Sequence, residues 1–134
     1  MPFMDWDRKY VLGIDEVDRQ HKHLFEIVNH MHDAVTSGAD QSAVTTILDE
    51  LIHYTVEHFE TEENMFREHE YPGYEKHRLE HNELAARVLD LQRRLREGSA
   101  TVSFDVLEFL SDWLADHTLG SDQEFAAFLK STAE

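Results

Sequence analysis

The chain has 134 residues, enough for one domain with a buried core, and its 41% hydrophobic and 30% charged residues place it among globular proteins. Lys plus Arg number 12 and Asp plus Glu 28, a net charge of -16 that opposes binding to nucleic acid or to an anionic membrane, since both present phosphates. Cysteine is absent, which excludes disulfides, thiol nucleophiles and thiolate-ligated zinc or iron–sulfur centres.

The chain opens on Trp6, Tyr10, Val11, Leu12 and Ile14, too apolar for a free tail, so this N-terminal arm is expected to pack on the rest of the protein. It lacks the basic-then-apolar run of a secretory leader, and no window approaches the ~20 apolar residues of a membrane span. The expectation is a soluble, cytoplasmic protein, with residues 1–134 as one domain. Turn signals at Gly38, Pro72-Gly73 and Gly98 then cut the chain into four helical segments, roughly 16–37, 41–69, 74–97 and 103–131. Asp40 and Ser103 suit the N-caps of the second and fourth, where a short side chain accepts from a free backbone N–H.

Each segment carries a stripe of residues spaced by threes and fours, the signature of one helix face. The first runs Leu24, Val28, Met31 and Val35, and one step back reaches His21. The second runs Val44, Leu48, Leu51 and Thr55, then His58, Glu62 and Met65. The third runs Tyr74, His77, His81, Leu84, Val88, Leu91 and Leu95, and the fourth Val106, Leu110, Trp113 and His117. No strict alternation argues for strands. Short loops join antiparallel neighbours, so the expected fold is all-α: an antiparallel up-down-up-down four-helix bundle with the arm packed on it.

Five of the 10 histidines and one glutamate interrupt these core stripes: His21, His58, Glu62, His77, His81 and His117. His23, His30 and His53 lie off them, and Glu63 rotates away from the face that carries Glu62. A lone histidine on such a face is usually a satisfied core residue, but burying this many polar groups unpaired would cost about 1–3 kcal/mol each and rival the whole stability of a domain. A metal pairs with all of them at once. His58/Glu62 and His77/His81 are i, i+4 pairs one turn apart, in register with histidines on the other helices. Asp122 is a further candidate. A five-residue step leaves it about 140° from His117 on a regular α-helix, so the two share a site only if the backbone departs from α, as in a π-type turn that Gly120 would permit. Otherwise Asp122 caps a second short helix. Imidazole and carboxylate ligands without thiolate suit iron, manganese or zinc, and seven candidates are too many for one four-coordinate ion and suit two bridged metals.

These residues resemble the hemerythrin family, in particular single-domain bacterial hemerythrins. The resemblance covers nearly the whole chain: Trp6-Asp7 with Val11-Leu12-Gly13-Ile14, Val17-Asp18-Arg19-Gln20-His21, His58-Phe59-Glu60-Thr61-Glu62-Glu63, Tyr71-Pro72-Gly73-Tyr74 before His77 and His81, and Trp113-Leu114 with His117 and Asp122. It implies two iron ions (Fe2+/Fe3+) per chain with a bridging oxo or hydroxo group. His77, His81 and His117 would saturate one iron, His21 and His58 would leave the other an open position for O2, and Glu62 and Asp122 would bridge. Phe25, Phe59, Leu110 and Trp113 are expected to form a dry pocket wall. Where relatives commonly carry isoleucine after the fourth-helix histidine, this chain has Thr118. Its hydroxyl is expected to shorten the life of bound O2 if it or a water reaches the pocket, or to bond the carbonyl four residues back and leave the pocket dry.

The function so implied is reversible O2 binding for transport, storage or sensing, without enzymatic turnover. Sensing would need a separate protein partner. The competing reading is a di-iron enzyme acting on peroxide or nitric oxide, or an iron-handling protein. A histidine-rich set favours reversible binding, whereas extra carboxylates on the core faces would favour oxidase chemistry.

Overall fold

The structure, a computed structural model, describes residue 6 and residues 8–98 and 104–132. A 3-10 turn at Arg8–Tyr10 leads into α1 (Asp15–Thr36), followed by α2 (Gln41–Glu68), α3 (Tyr74–Glu97) and α4 (Phe104–His117). A π-helical segment, Thr118–Asp122, then runs directly into α5 (Gln123–Thr132), so α4 to α5 form the fourth rod of the bundle. The described residues contain no strand.

Local chemistry sets the helix ends. Asp15, Glu16 and Asp18 place negative charge at the start of α1, where the helix dipole favours it. Asp40 caps α2, its Oδ1 accepting from the Ala43 N–H at 2.9 Å. The expected cap Ser103 lies outside the described residues. Gly98 ends α3 at φ 76°, a left-handed position that a side chain would strain, and its N–H returns to the helix carbonyls.

Antiparallel packing places α1 against α2 and α4, and α2 against α3. The stripes read from the sequence point inward: Leu24, Val28, Met31, Leu48, Leu51, Leu84, Val88, Leu95 and Leu110 are all buried. The N-terminal arm closes on this core. Tyr10 and Leu12 are buried, and both Trp6 and Tyr10 meet the Phe25 ring edge-on, at 5.2 and 4.8 Å. Asp18 fastens the arm by accepting from the Leu12 and Gly13 N–H groups at 2.8 and 3.1 Å. A second apolar layer, Phe66 against Phe125 with Tyr71 beside it, lies on the other side of the histidine band. The polar residues of that band are thus enclosed between two hydrophobic layers. No helix of the described residues is long and apolar enough to cross a membrane.

Candidate metal centre

Four rods contribute to one buried cluster: His21 from α1, His58 and Glu62 from α2, His77 and His81 from α3, and His117 with Asp122 from the fourth. All seven are buried, Asp122 and His21 completely. The i, i+4 spacing on α2 and α3 stacks each pair on the inner face, as the periodicity requires. On the fourth rod the 140° mismatch is absorbed by the π segment, whose wider turn brings Asp122 Oδ1 to 3.2 Å from His117 Nε2. Gly120 is not what permits it: its φ is not positive and a Cβ there would meet nothing.

Every imidazole turns Nε2 to the centre. Asp122 spans the cluster, with Oδ2 at 2.9 Å from His21 Nε2 and Oδ1 at 2.7 Å from His77 Nε2. Glu62 does the same, Oε1 lying 2.8 Å from His58 Nε2 and 3.4 Å from His81 Nε2. Two groups of ligand atoms follow, each able to hold one cation: Glu62, His77, His81 and His117, and His21, His58, Glu62 and Asp122. The first holds three imidazoles, the second two.

For three of the five imidazoles, the outward ring nitrogen explains why the inward one is a lone pair. His58 Nδ1 donates to Gln20 Oε1 at 2.7 Å, while Nδ1 of His81 and of His117 stand 3.2 Å from Glu63 Oε2 and Glu80 Oε2. With the protons of His81 and His117 turned outward to these carboxylates, Nε2 of His81 faces Nε2 of His117 at 3.1 Å, and Nε2 of His77, whose Nδ1 has no partner, lies 2.9 Å from the same atom. Neither oxygen of Glu62 or Asp122 has a hydrogen-bond partner, nor has Nε2 of His21 or His58. Buried acceptors converging without donors are costly, and cations resolve that cost, so the residues fit a two-metal centre. The electrostatics of two imidazoles agree, while His117 is raised, because burial works against its charged form but Asp122 beside it outweighs that. Burial pushes the His58 imidazole down to about 4 and His81 to about 2, which keeps both neutral as ligands require. Burial, with Asp122 beside it, raises the Glu62 carboxyl well above the usual range. Burial also works against ionised Asp122, but its imidazole neighbours, His117 first, hold its carboxyl well below that range.

A cavity opens beside the two-imidazole group. His21, His58 and His117 form its polar end, Thr55 adds a hydroxyl residue to the wall, and Leu24, Val28, Leu51, Phe59, Leu110, Trp113 and Leu114 are among its apolar walls. It offers ≈ 20 Å³ to the centre of a water-sized molecule, where about 10–15 Å³ suffices for one water. Phe59 and Trp113 have a second task, stacking on the His81 and His117 rings at 3.7 and 4.4 Å. Phe25 and Thr118 are not among the lining residues. Phe25 serves the contact with the arm. The Thr118 hydroxyl donates to the Leu114 carbonyl at 2.7 Å, the local bond four residues back, and the residue is fully buried.

Residues 12–129 match the profile of the hemerythrin HHE cation binding domain. The chain belongs to the hemerythrin family. It is 34% identical over 131 residues to the bacteriohemerythrin of Stenotrophomonas maltophilia strain R551-3, covering 98% of this chain and 84% of that protein. To the bacteriohemerythrin of Methylococcus capsulatus strain Bath it is 33% identical over 132 residues, 98% of this chain and all of the relative. The crystal structure of a wild-type hemerythrin, 32% identical, superposes with a TM-score of 0.89 over 93% of this chain and 96% of that one. A cation-binding hemerythrin domain with two buried groups of histidine, glutamate and aspartate is therefore the framework for function.

Gln20 and Glu80 carry no stripe signal as contributors to this hemerythrin site, and Glu63, off the stripe, is by sequence only a weaker candidate than Glu62. Each is adjacent in sequence to a centre-facing residue and so points about 100° away from the centre, where it meets the outer nitrogen of an imidazole on another helix. The signal was one of adjacency rather than of stripe.

Proposed function

We propose that this protein is a cytoplasmic, non-enzymatic O2-binding protein that holds two irons. In this reading His77, His81 and His117 hold one iron, His21 and His58 the other, and Glu62 and Asp122 hold both. When bound, the irons supply reversible electron exchange with O2. The observation that carries the reading is the small, mostly apolar cavity onto which both imidazoles of the two-imidazole group, His21 and His58, open, and which leaves room there for a small ligand. The chain's own part is to keep that room dry. Leu24, Val28, Leu51 and Leu110 present no donor, and Trp113 and Phe59 fix the imidazoles by stacking, so the walls offer a bound ligand few proton sources, the Thr55 hydroxyl being the one hydroxyl among the lining residues.

Iron-replete protein is expected to contain two irons per chain, and metal analysis giving one metal, or mainly zinc, would overturn the reading. Reduced with dithionite and then cycled between air and argon, its optical spectrum should switch back and forth. Irreversible oxidation on first contact with air, or turnover of peroxide, would favour the enzymatic alternative instead.

The Thr118 geometry sharpens one expectation. Because the hydroxyl is spent on the Leu114 carbonyl, Thr118→Ile should change the lifetime of the O2-loaded form in air by less than about twofold, a difference under ~0.5 kcal/mol. A tenfold longer lifetime in that variant would show that the hydroxyl does reach the ligand.

A further inference from the structure

Five imidazoles face the centre alike, but what they meet on the far side divides them. In the three-imidazole group, His81 and His117 each present Nδ1 to a carboxylate, Glu63 and Glu80, at 3.2 Å, while Nδ1 of His77 has no partner. In the two-imidazole group, His58 presents Nδ1 to the neutral amide oxygen of Gln20 at 2.7 Å, and Nδ1 of His21 has no partner. The orientations are held. Glu80 Oε2 also accepts from Ser121 Oγ at 2.5 Å, which ties α3 to the π segment. Gln20 Nε2 donates to Thr61 Oγ1 at 3.1 Å, and that hydroxyl donates to the Glu57 carbonyl at 3.1 Å, so it is the amide oxygen and not the NH2 that faces His58. Both negative outer partners therefore serve one metal position and none serves the other.

We propose that Glu63 and Glu80 make the metal held by His77, His81 and His117 the more readily oxidised of the pair. A carboxylate accepting an Nδ1–H shifts the imidazole toward imidazolate and strengthens its donation to the metal, which stabilises the higher oxidation state. Hydrogen bonding around the ligands is one of the levers by which a protein sets the potential of an iron site. The asymmetry suits the division of labour: the three-imidazole position gives up an electron first, and the two-imidazole position, whose His21 and His58 both line the cavity, stays reduced for a ligand. Glu63 and Glu80 are positioning residues in this scheme, acting only through the imidazoles. The inference rests on the two-iron reading above, though not on O2 binding.

Anaerobic redox titration of the iron-loaded protein, followed by optical and electron paramagnetic resonance spectra, tests it. Glu63→Gln and Glu80→Gln keep the shape and an accepting oxygen but remove the charge. Each is expected to raise the first of the two one-electron potentials by about tenfold in equilibrium constant, ~59 mV. Gln20→Glu adds a charge on the other side and is expected to lower the second potential, so all three variants narrow the gap between the steps while moving the mean in opposite directions. A merely structural role would not produce that change of sign. Unchanged potentials in the two glutamine variants with both irons retained would overturn the proposal. Should those variants lose iron, Gln20→Glu decides: a lowered potential supports the proposal and an unchanged or raised one overturns it. Failure of the wild-type protein to bind O2, with these shifts present, would sink the functional reading and leave this one standing. Failure to hold two irons would overturn both.

Discussion

Glu62→Gln is expected to strip both metals from the protein and to lower its Tm by on the order of 10 °C. The substitution preserves the volume and shape of a side chain that is 1% exposed, so packing is unchanged and the loss reads the ligand role directly. Glu62 is the residue common to both ligand groups, with Oε1 beside His58 and His81 and Oε2 toward His77 at 3.8 Å. Removing its charge removes one negative ligand from each metal, a larger injury than losing an outer partner, which itself costs about 10–100-fold in affinity.

The stability loss follows from mass action. A ligand present at about 1,000 times its Kd contributes ~4 kcal/mol to the folded state, and each kcal/mol moves the Tm of a domain of this size by roughly 2–8 °C. His53→Ala is the matching control. His53 is 73% exposed and reaches Glu57 at 3.9 Å and the Tyr54 ring edge-on at 5.2 Å, both away from the metal centre, so its loss should stay within ~0.5 kcal/mol and leave the iron content intact. Iron analysis and thermal unfolding of the two variants side by side check both halves. Full iron occupancy in Glu62→Gln would remove this residue from the ligand set.

What the sequence made legible was whatever periodicity encodes. The stripes located the helices, their inward faces and the polar residues set among apolar ones, and the structure brings those residues within ligand distance of one another. The departure of the fourth rod from α geometry was legible too, since His117 and Asp122 cannot share a site at five-residue spacing otherwise. The part assigned to Gly120 was not, because the widened turn keeps right-handed angles that any residue adopts. Phe25 illustrates a different limit. It lies one residue from Leu24, which does line the cavity, yet its ring faces the N-terminal arm, and only the arm's path decides that. Thr118 illustrates a third: its sequence position beside His117 says nothing about which rotamer its hydroxyl takes, and the helix's own carbonyl captures it. Partners across helices, such as Gln20 for His58 or Glu80 for His117, depend on rotations between rods that no pattern within a single rod specifies.

Chelated, metal-free protein is expected to lose stability on mild acidification, by about 4 kcal/mol between pH 6.5 and pH 4, whereas the metal-loaded protein should hold its fold to a pH lower by roughly one unit or more. Burial depresses His58 to about 4 and His81 to about 2 from the ordinary 6.5. Below pH 6.5 the unfolded chain therefore takes up protons that these two imidazoles refuse while folded. Stability is complete above pH 6.5, falls as the pH drops, and levels off near pH 4 for His58 and only near pH 2 for His81. The Glu62 carboxyl, raised by burial, works in the opposite direction, since the folded chain keeps a proton that the unfolded one releases. That compensation ends at the ordinary carboxylate value of 4.5, below which Glu62 is protonated in both states. His117 is raised, because Asp122 outweighs its burial, and its contribution is already complete below pH 6.5. The two depressed imidazoles thus win, and the loss steepens as the pH passes below 4.5. Bound metals occupy the same lone pairs, so protons must first displace them before the fold is exposed to this penalty. Urea unfolding followed by far-ultraviolet circular dichroism at a series of pH values, with and without chelator, measures the effect. Superimposable stability curves for the two forms would show that the converging imidazoles and carboxylates carry no burden for the metals to relieve.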